Sequence, residues 1–309
     1  MTSAICTLFE GDYHYGVGAL CNSLYQHAYR GVIYAGYRGP LPSWAGVAEK
    51  KEAYSELTIE PEFLLRFVPL TTDVHLTNYK PDFMLTVWRH YCPDAAALFY
   101  FDPDITVSCR WSFFEEWVQG GVAICADANA DMPPTHPLRQ AWLRHFEPLG
   151  FQQTREQSAY FNGGFVGVAK QHAGFLNSWQ RLIQLEKDAT GGLRKLNMLD
   201  RSFLFHVPDQ DALNVATMTC QQPVSCVGRD GMDFRRGGGG FIMSHAAAGV
   251  KPWRKKMLWR TVARAQGPSR ADKAFFRNAT APIRLYGTLR LGLKKLDLLA
   301  GSALGRYMG

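Results

Sequence analysis

The sequence predicts an α/β protein with a largely parallel sheet, and three observations support this fold class. Short apolar segments alternate with segments of helical periodicity over the first 250 of the 309 residues, as in strand–helix–strand units. Residues 95–101 form a continuous apolar run that suits a strand buried on both faces. Hydrophobic residues make up 47% and charged residues 20% of the chain, which excludes wholesale disorder and a coiled-coil rod.

The predicted elements alternate regularly along the chain. The predicted strands are residues 4–9, 31–35, 63–70, 95–101, 122–126, 160–168 and 241–244. The predicted helices are residues 16–27, 80–91, 111–118, 137–147, 171–185 and 211–218. The helix at 80–91 carries Pro81 at an early position, where its missing N–H costs nothing. Residues 36–43 and 229–240, which are rich in turn residues, are predicted to be loops.

The C-terminal segment differs from the rest of the chain in charge. Residues 251–309 hold 14 of the 34 Lys and Arg but only two of the 27 Asp and Glu, Asp272 and Asp297. This segment therefore carries a net charge of +12, while the remaining 250 residues carry −5. A basic tail of this kind suits a polyanionic surface such as an anionic membrane leaflet, a nucleic acid or a charged acceptor.

Within this tail, apolar residues recur at helical spacing. They are Leu285, Leu289, Leu293, Leu296 and Ala300. Their spacing predicts an amphipathic helix over residues 284–300. A helix lying on a lipid surface and a helix packed on the protein body both produce this stripe, so the sequence is compatible with either.

The cysteines and the apolar runs indicate the compartment. Seven scattered cysteines without a Cys-x-x-Cys pair are typical of a reduced chain, not of a disulfide scaffold or a zinc module. No apolar run approaches the roughly 18 residues of a transmembrane helix. The first residues also lack the basic and then apolar pattern of a signal peptide. We therefore expect a cytoplasmic protein, with its basic tail peripheral on the inner face of the membrane.

Two carboxylates follow the most apolar predicted strand. Asp102 and Asp104 come directly after residues 95–101 and are separated by Pro103. A turn at Pro103 brings both side chains to one mouth of the sheet, where ligands bind in parallel α/β folds. Carboxylate oxygens suit Mg²⁺ or Mn²⁺ holding a diphosphate. Asp-Pro-Asp is also ordinary turn chemistry, so these residues alone favour a metal site and a surface turn equally.

A second group of residues follows the last predicted strand. His245 can be a third metal ligand, Gly249 allows close approach of a phosphate, and Lys251 supplies a positive charge for it. A lone histidine is more often structural, but the following Gly-x-Lys-Pro-Trp, which ends at Trp253, favours the functional interpretation.

Two further segments carry polar residues. Asp209-Gln210-Asp211 follows Pro208, and either carboxylate could cap the helix that comes next. Asn162-Gly163-Gly164 lies within a predicted strand, where two glycines indicate close approach of another group to the backbone.

These four segments, in this order, resemble one family. They are similar to the family 8 retaining glycosyltransferases of the glycogenin and lipopolysaccharide-galactosyltransferase type, which have the GT-A fold. The resemblance spans residues 4–253 and consists of short motifs. It implies a GT-A catalytic domain at 1–253, with a mostly parallel central sheet, followed by a basic helical extension at 254–309. It also implies sugar transfer from a UDP-sugar to a saccharide or lipid-linked acceptor, in lipopolysaccharide or cell-surface polysaccharide synthesis.

The resemblance assigns roles to individual positions. Asp102, Asp104 and His245 match ligands of a divalent metal, usually Mn²⁺, and Gly249 and Lys251 match contacts to the diphosphate. The donor nucleotide site matches Leu8, Phe9, Glu10 and Asp12, with either Tyr13 or Tyr15 stacking on uracil.

Further positions surround the implied donor sugar. Lys80 stands where the family usually has an arginine, which keeps the charge but loses bidentate geometry. Asn162 and Gly163 match the strand beside the donor sugar, and Asp209 and Gln210 match the residues beside the anomeric carbon. Pro103 within the Asp-x-Asp motif stiffens the turn, and Asp211 and Trp253 are expected on the acceptor side.

Two other functions compete with this interpretation. Asp102-x-Asp104-x-Thr106 after an apolar strand also fits the nucleophile motif of a haloacid-dehalogenase-type phosphatase, although that motif usually opens its fold and leaves His245 and Lys251 unexplained. A non-catalytic module that binds sugar nucleotides or nucleic acid through the basic tail is the other alternative. Retention of a nucleic acid that falls with salt would identify the latter, but we expect no nucleic-acid partner.

Overall fold

The computed structural model describes residues 2–128, 131–187, 193–194, 204–234, 242–247 and 249–308. Its strands are β1 (Ser3–Glu10), β2 (Gly31–Arg38), β3 (Glu49–Lys50), β4 (Ser55–Glu60), β5 (Phe63–Pro69), β6 (Ala97–Phe101), β7 (Ile105–Val107), β8 (Val122–Ala126), β9 (Phe161–Ala169), β10 (Val224–Val227) and β11 (Met243–His245). Its α-helices are α1 (His14–Gln26), α2 (Lys80–His90), α3 (Trp111–Trp117), α4 (Pro137–Phe146), α5 (Gly174–Leu185), α6 (Pro208–Thr219), α7 (Met257–Arg264), α8 (Arg270–Arg277) and α9 (Thr288–Met308). Short 3-10 helices occupy Gly11–Tyr13, Ser43–Ala45, Leu76–Tyr79, Val118–Gly120, Glu147–Leu149, Lys170–His172 and Arg229–Met232.

A large central sheet organises the described residues. Its strand order is β10-β8-β9-β6-β1-β2-β5-β4-β3, and β7 and β11 form a separate antiparallel pair. Seven of the nine strands in the described part of this sheet run in one direction, and β4 and β9 run against them. The predicted α/β class with a mostly parallel sheet is therefore confirmed.

Most predicted elements are present, with shifted ends. The loop predicted at 36–43 is wrong at its start, because β2 continues to Arg38 by pairing with β5. The helix predicted from Asp211 begins at Pro208, where proline suits the first helical position. The sequence patterns missed β3, β4, β7, β10, α7 and α8, which are short or lie in polar stretches. The predicted loop at 229–240 and strand at 241–244 lie partly outside the described residues.

The core lies on both faces of the central sheet, as the apolar β6 predicts. Strand β1 shows the alternation, since Ile5 and Phe9 belong to one apolar cluster and Cys6 and Leu8 to the other. The first cluster packs against α1 and α3, and the second packs against α2, α4, α5 and α6. Because both faces of β1 are covered by the core, this strand can contact a ligand only through the residues at its carboxyl end, at the edge of the sheet.

The C-terminal segment packs against the first cluster. Phe275, Phe276 and Ile283 are buried in it together with Ile5. The fully buried Asn22 donates to the carbonyls of Asn278 and Ile283 at 2.8 and 2.7 Å, and its Oδ1 accepts from the Ile283 N–H at 2.7 Å. This segment is therefore joined to α1 by buried polar contacts as well as apolar ones.

The predicted amphipathic helix has different ends from those expected. Helix α9 begins at Thr288, and Leu285 lies before it as a buried core residue. Leu289, Leu293 and Leu296 are 83%, 61% and 63% exposed, so this part of the predicted stripe faces away from the body. Among the described residues, no helix is both long and apolar enough to cross a membrane.

Candidate active site

A cavity of about 390 Å³ opens at the carboxyl ends of β1 and β6. Its lining comprises Leu8, Phe9, Glu10, Tyr13, His75, Leu76, Thr77, Lys80, Tyr100, Asp102, Pro103, Asp104, Asn162, Gly164, Val207, Asp209, Gln210, His245, Ala247 and Lys251. The position agrees with the general rule for ligand sites in parallel α/β sheets. All four sequence segments therefore meet in one place.

Two strand pairings bring the acidic pair and the histidine together. Strand β6 ends just before Asp102, whose N–H donates to the Gly164 carbonyl of β9 at 2.7 Å. After the turn, β7 pairs with β11, and this register places His245 opposite Ile105. The Ala246 N–H also donates to the Asp104 carbonyl at 3.0 Å. The histidine is consequently held beside the acidic turn by main-chain bonds.

The side chains of this group converge on one point. His245 Nε2 lies 3.3 Å from Asp104 Oδ1 and 3.8 Å from Asp102 Oδ2. One ligand atom from each of the three residues lies within 4.8 Å of the other two. Gly164 makes this approach possible, because a Cβ at that position would lie 2.6 Å from His245 Cε1 and 3.0 Å from Asp102 Oδ2. Two carboxylates and an imidazole in this arrangement fit Mn²⁺ or Mg²⁺.

Lys251 completes the charge balance at Asp104. Its Nζ lies 2.6 Å from Asp104 Oδ2 and donates to the Ala246 carbonyl at 3.0 Å. Burial alone would raise the pKa of Asp104, but His245 and Lys251 outweigh it, and the pKa lies below its usual range. Burial would lower the pKa of Lys251, but Asp104 reverses this and raises it. Asp104 is therefore ionised and Lys251 protonated at neutral pH.

Lys80 plays a similar part on the other side of the cavity. It is 2% exposed, and its Nζ lies 2.8 Å from Asp209 Oδ2, 3.2 Å from Asp102 Oδ1 and 2.8 Å from the Gly163 carbonyl. Burial would lower the pKa of Lys80, but the carboxylates of Asp102 and Asp209 raise it above its usual value. A single ammonium therefore joins the first acid of the Asp-x-Asp motif to the acid at the start of α6.

An amide network fixes the strand beside this cation. Gln210 Oε1 accepts from the Gly163 N–H at 2.9 Å, and Asn162 Oδ1 accepts from the Gly164 N–H at 2.9 Å. Asn162 Nδ2 in turn donates to Asp127 Oδ2 at 2.5 Å. Asp127 is a buried residue that directly follows β8. The sequence did not indicate it, because an isolated acid after a short strand forms no motif.

The opposite end of the cavity is formed by the exit from β1. Leu8, Phe9 and Glu10 line it together with Tyr13, which belongs to the 3-10 turn after the strand. Arg38 holds the Glu10 carboxylate at 2.8 Å and donates to the Thr72 carbonyl at 3.0 Å. The sequence left Tyr13 and Tyr15 as alternatives, and of these two residues Tyr13 lines the cavity.

Several predicted site residues lie outside the cavity lining. Tyr15 stacks on Tyr286 with ring centroids 4.8 Å apart, and Trp253 is buried against Tyr13 at 5.4 Å. Asp12 is bound through both carboxylate oxygens by Arg254.

The remaining three predicted residues outside the lining are Gly163, Gly249 and Asp211. Gly163 contributes its main chain to the Lys80 and Gln210 contacts, and Gly249 lies in the turn before Lys251. Asp211 is buried and accepts from the His206 N–H at 2.7 Å and the Val207 N–H at 2.9 Å. Burial raises the pKa of Asp211 to about 6. Its contacts are those of a residue that holds the start of α6.

Other lining residues carried no signal in the sequence. Tyr100 donates to Asp102 Oδ1 at 3.0 Å, and the His75 ring accepts from the Thr77 N–H at 3.4 Å at the start of a 3-10 helix. Alternation along β6 places Tyr100 on the same side as Asp102, so this contact could have been expected from the strand period.

Comparisons with known proteins identify the fold. No protein-family model matches this sequence, and no curated protein matches it. The structure is similar to that of the bifunctional glycosyltransferase WbbM in its apo form, with a TM-score of 0.56 and 15% identity over 95% of this chain and 51% of that one. The chain thus spans about half the length of WbbM.

A second solved structure matches over nearly its whole length. It is the galactosyltransferase LgtC in complex with donor and acceptor sugar analogues, with a TM-score of 0.53 and 12% identity over 94% of this chain and 99% of that one. At these identities the likeness establishes the fold. The chain therefore has the GT-A fold, as the sequence motifs predicted.

Proposed function

We propose that this protein is a glycosyltransferase that moves a sugar from a nucleotide diphosphate sugar to an acceptor hydroxyl with retention of configuration. The resemblance to family 8 glycosyltransferases favours UDP as the nucleotide of the donor. One observation carries the proposal, namely the convergence of Asp102, Asp104 and His245 beside two buried lysines. This arrangement matches the charge pattern of a metal-bound diphosphate. The two matched glycosyltransferase structures support the same reaction class.

The metal would be held by Asp102, Asp104 and His245. When bound, Mn²⁺ or Mg²⁺ would supply Lewis-acid stabilisation of the departing diphosphate. The carboxylates of Asp102 and Asp104 would contribute ligand oxygens beside the ammonium groups of Lys80 and Lys251.

The chain's own groups act on both sides of the breaking bond. Lys251 neutralises charge on the diphosphate as the bond between the anomeric carbon and the phosphate oxygen breaks and its electron pair stays with that oxygen. The acceptor oxygen forms the new bond to the same carbon, and its proton leaves toward the departing phosphate. Asp209 and Gln210, which border the cavity, orient the donor sugar, and Lys80 holds the Asp209 carboxylate at 2.8 Å.

The test is calorimetric titration of UDP into the full chain with and without Mn²⁺. We expect binding that requires Mn²⁺ and is lost in Asp104→Ala, because this change removes one metal ligand and the partner of Lys251. The matched control is Asp94→Ala, since Asp94 is an exposed carboxylate outside the cavity. Absence of UDP and GDP binding to a folded wild-type chain would overturn the proposal, and Mg²⁺-dependent hydrolysis of an aryl phosphate would identify a phosphatase instead.

A membrane-bound acceptor is the second part of the proposal. Leu258, Trp259 and Val262 on α7 are 40%, 66% and 60% exposed, in addition to the exposed leucines of α9. The two acids of the tail are bound internally, Asp272 by Lys255 and Asp297 by the first N–H groups of α7. Exposed apolar side chains within a segment of net charge +12 fit an anionic lipid surface, such as the cytoplasmic leaflet that presents a lipid-linked or lipopolysaccharide-type acceptor.

Vesicle flotation of the full chain tests this placement. Truncation after Arg254 is unsuitable, because it removes core residues such as Phe275. We expect wild-type protein to float with anionic vesicles but not with neutral ones, and the double variant Trp259→Ser and Leu289→Ser to lose flotation. Val47→Ser is the control, since Val47 is an exposed apolar residue elsewhere on the molecule (85% exposed). Equal flotation of the double variant and the control would contradict membrane docking through the tail.

A further inference from the structure

The C-terminal helix α9 reaches the turn that carries Lys251. Lys294 is a half-buried residue of α9, and its Nζ donates to the main-chain carbonyl of Trp253 at 2.9 Å. The same ammonium lies 6.0 Å from the ring centroid of Phe276 and 5.7 Å from that of Tyr286. Its position is therefore fixed by two aromatic rings of the tail as well as by the hydrogen bond.

The carbonyl that Lys294 binds belongs to a compact turn. The Lys251 carbonyl accepts from the N–H groups of Arg254 at 2.9 Å and Lys255 at 3.2 Å. The Trp253 carbonyl points toward α9 and accepts from the charged Lys294 ammonium. A hydrogen bond to a charged donor is stronger than one between neutral groups, so this contact holds the turn more firmly than an ordinary main-chain bond.

The indole of Trp253 packs between Tyr13 of the cavity lining and Phe275 of α8. Its ring centroid lies 5.4 Å from that of Tyr13 and 5.5 Å from that of Phe275. A Cβ on Gly16 would lie 3.0 Å from the indole, so α1 has no room for a larger residue there. Trp253 lies two residues after Lys251, in the turn closed by the hydrogen bonds to the Lys251 carbonyl.

The two residues directly before Lys251 are loosely packed. A Cβ on Gly249 would meet no described atom within 4 Å, and Val250 is 42% exposed. The described residues just before Lys251 thus supply little packing, whereas those just after it are held by Lys294, Tyr13 and Phe275.

We propose that Lys294 is a positioning residue for Lys251, so that the C-terminal helix α9 helps to set the geometry of the cavity. This inference rests on the proposed function for its effect on nucleotide binding. It predicts that loss of the Lys294 contact weakens recognition of the diphosphate and leaves recognition of the nucleoside unchanged, because Leu8, Phe9 and Glu10 at that end of the cavity lie on β1.

The experiment compares Lys294→Met with Lys295→Met in the full chain. Both variants remove one positive charge from the same turn of α9, but only Lys294 binds the Trp253 carbonyl. With Mn²⁺ present, we expect Lys294→Met to weaken UDP binding about tenfold, the effect of losing one charge-assisted hydrogen bond. UMP binding should stay within twofold of wild type, and Lys294→Arg, which restores a donor, should recover most of the UDP affinity. Equal UDP affinities for the two methionine variants would overturn the inference.

A second readout separates this inference from the proposed function. Amide hydrogen exchange over residues 249–255 should be faster in Lys294→Met than in Lys295→Met, whatever the ligand of the cavity is. If the wild-type chain bound no nucleotide, the proposed function would fail, and equal exchange in the two variants would then overturn the positioning role as well. Faster exchange in Lys294→Met alone would support the positioning role independently.

Discussion

In the cavity, Lys80 and Lys251 are buried against carboxylates, whereas most basic side chains of residues 254–308 are exposed to solvent. The two acids of the tail, unlike its basic residues, are held within the protein. Asp272 is buried, and Asp297 is bound to main-chain N–H groups. Buried ion pairs are costly to assemble and add little net stability. Exposed cations cost little and act over about 8–10 Å at physiological salt. The first region is therefore suited to a ligand held at contact distance, and the second to an extended surface.

The largest effect on stability is expected from removal of a buried cation. Lys80→Met leaves the buried Asp209 carboxylate and Asp102 without their shared ammonium. We expect the free energy of unfolding to fall by about 3–5 kcal/mol, measured by urea denaturation. Lys50→Met is the control, and we expect it to stay within about 0.5 kcal/mol because Lys50 is an exposed residue of an edge strand. A loss below about 1 kcal/mol for Lys80→Met would show that the cluster is more hydrated than its burial indicates.

The contact between the tail and α1 comes next. Asn22→Ala removes three buried hydrogen bonds to the turn before α9. Unsatisfied buried groups cost about 1–3 kcal/mol each, so we expect a loss of about 2–4 kcal/mol in thermal or urea unfolding. Asn177→Ala, at an exposed position of α5, is the control. Unchanged stability in Asn22→Ala would mean that the tail docks through apolar contacts alone.

A smaller loss is expected at the start of α7. Asp297 accepts from the Met257 N–H at 2.7 Å and the Leu258 N–H at 3.0 Å, so it caps this helix from α9. Asp297→Ala should reduce the free energy of unfolding by about 1 kcal/mol, as the loss of a helix cap does. Asp297→Asn retains one acceptor and should lose less. Equal losses for the two variants would assign the effect to charge and not to capping.

The smallest change in stability is expected at the exposed tail. Trp259→Ser should alter the free energy of unfolding by less than about 0.5 kcal/mol, because the side chain is 66% exposed. The same variant should still weaken vesicle flotation, so the two measurements separate folding from surface binding. A clear drop in melting temperature would show instead that this residue packs on the protein in solution.

The sequence predicted the cavity better than the tail, for a physical reason. Asp102, Asp104, His245 and Lys251 belong to short motifs whose chemistry is local, and each motif follows a strand, where ligand sites of α/β folds lie. The roles of these residues in transfer stay predictions. Asp127 was missed because its partner Asn162 lies on another strand, and strand order cannot be read from one sequence. Tyr100 was missed although the strand period places it on the same side as its partner Asp102.

The tail posed a different difficulty. Its apolar stripe predicts an amphipathic helix but not the direction in which the helix faces. That direction depends on Asn22 and on the aromatic residues of α8, which carry no recognisable pattern. The proposed boundary between 253 and 254 remains a prediction, and the Lys294 contact crosses it.

The pairing of β7 with β11 has a consequence for folding. It joins segments far apart in the chain, since Lys251 lies 147 residues after Asp104. The unfolded chain therefore has no preformed cation site, and any cation that binds Asp102, Asp104 and His245 selects the native state. By mass action, a ligand at one hundred times its dissociation constant adds about 2.7 kcal/mol to stability. On the proposed function, the melting temperature of this protein should therefore depend on the divalent cation in the buffer, and the cell's metal supply would help to set how long the protein persists.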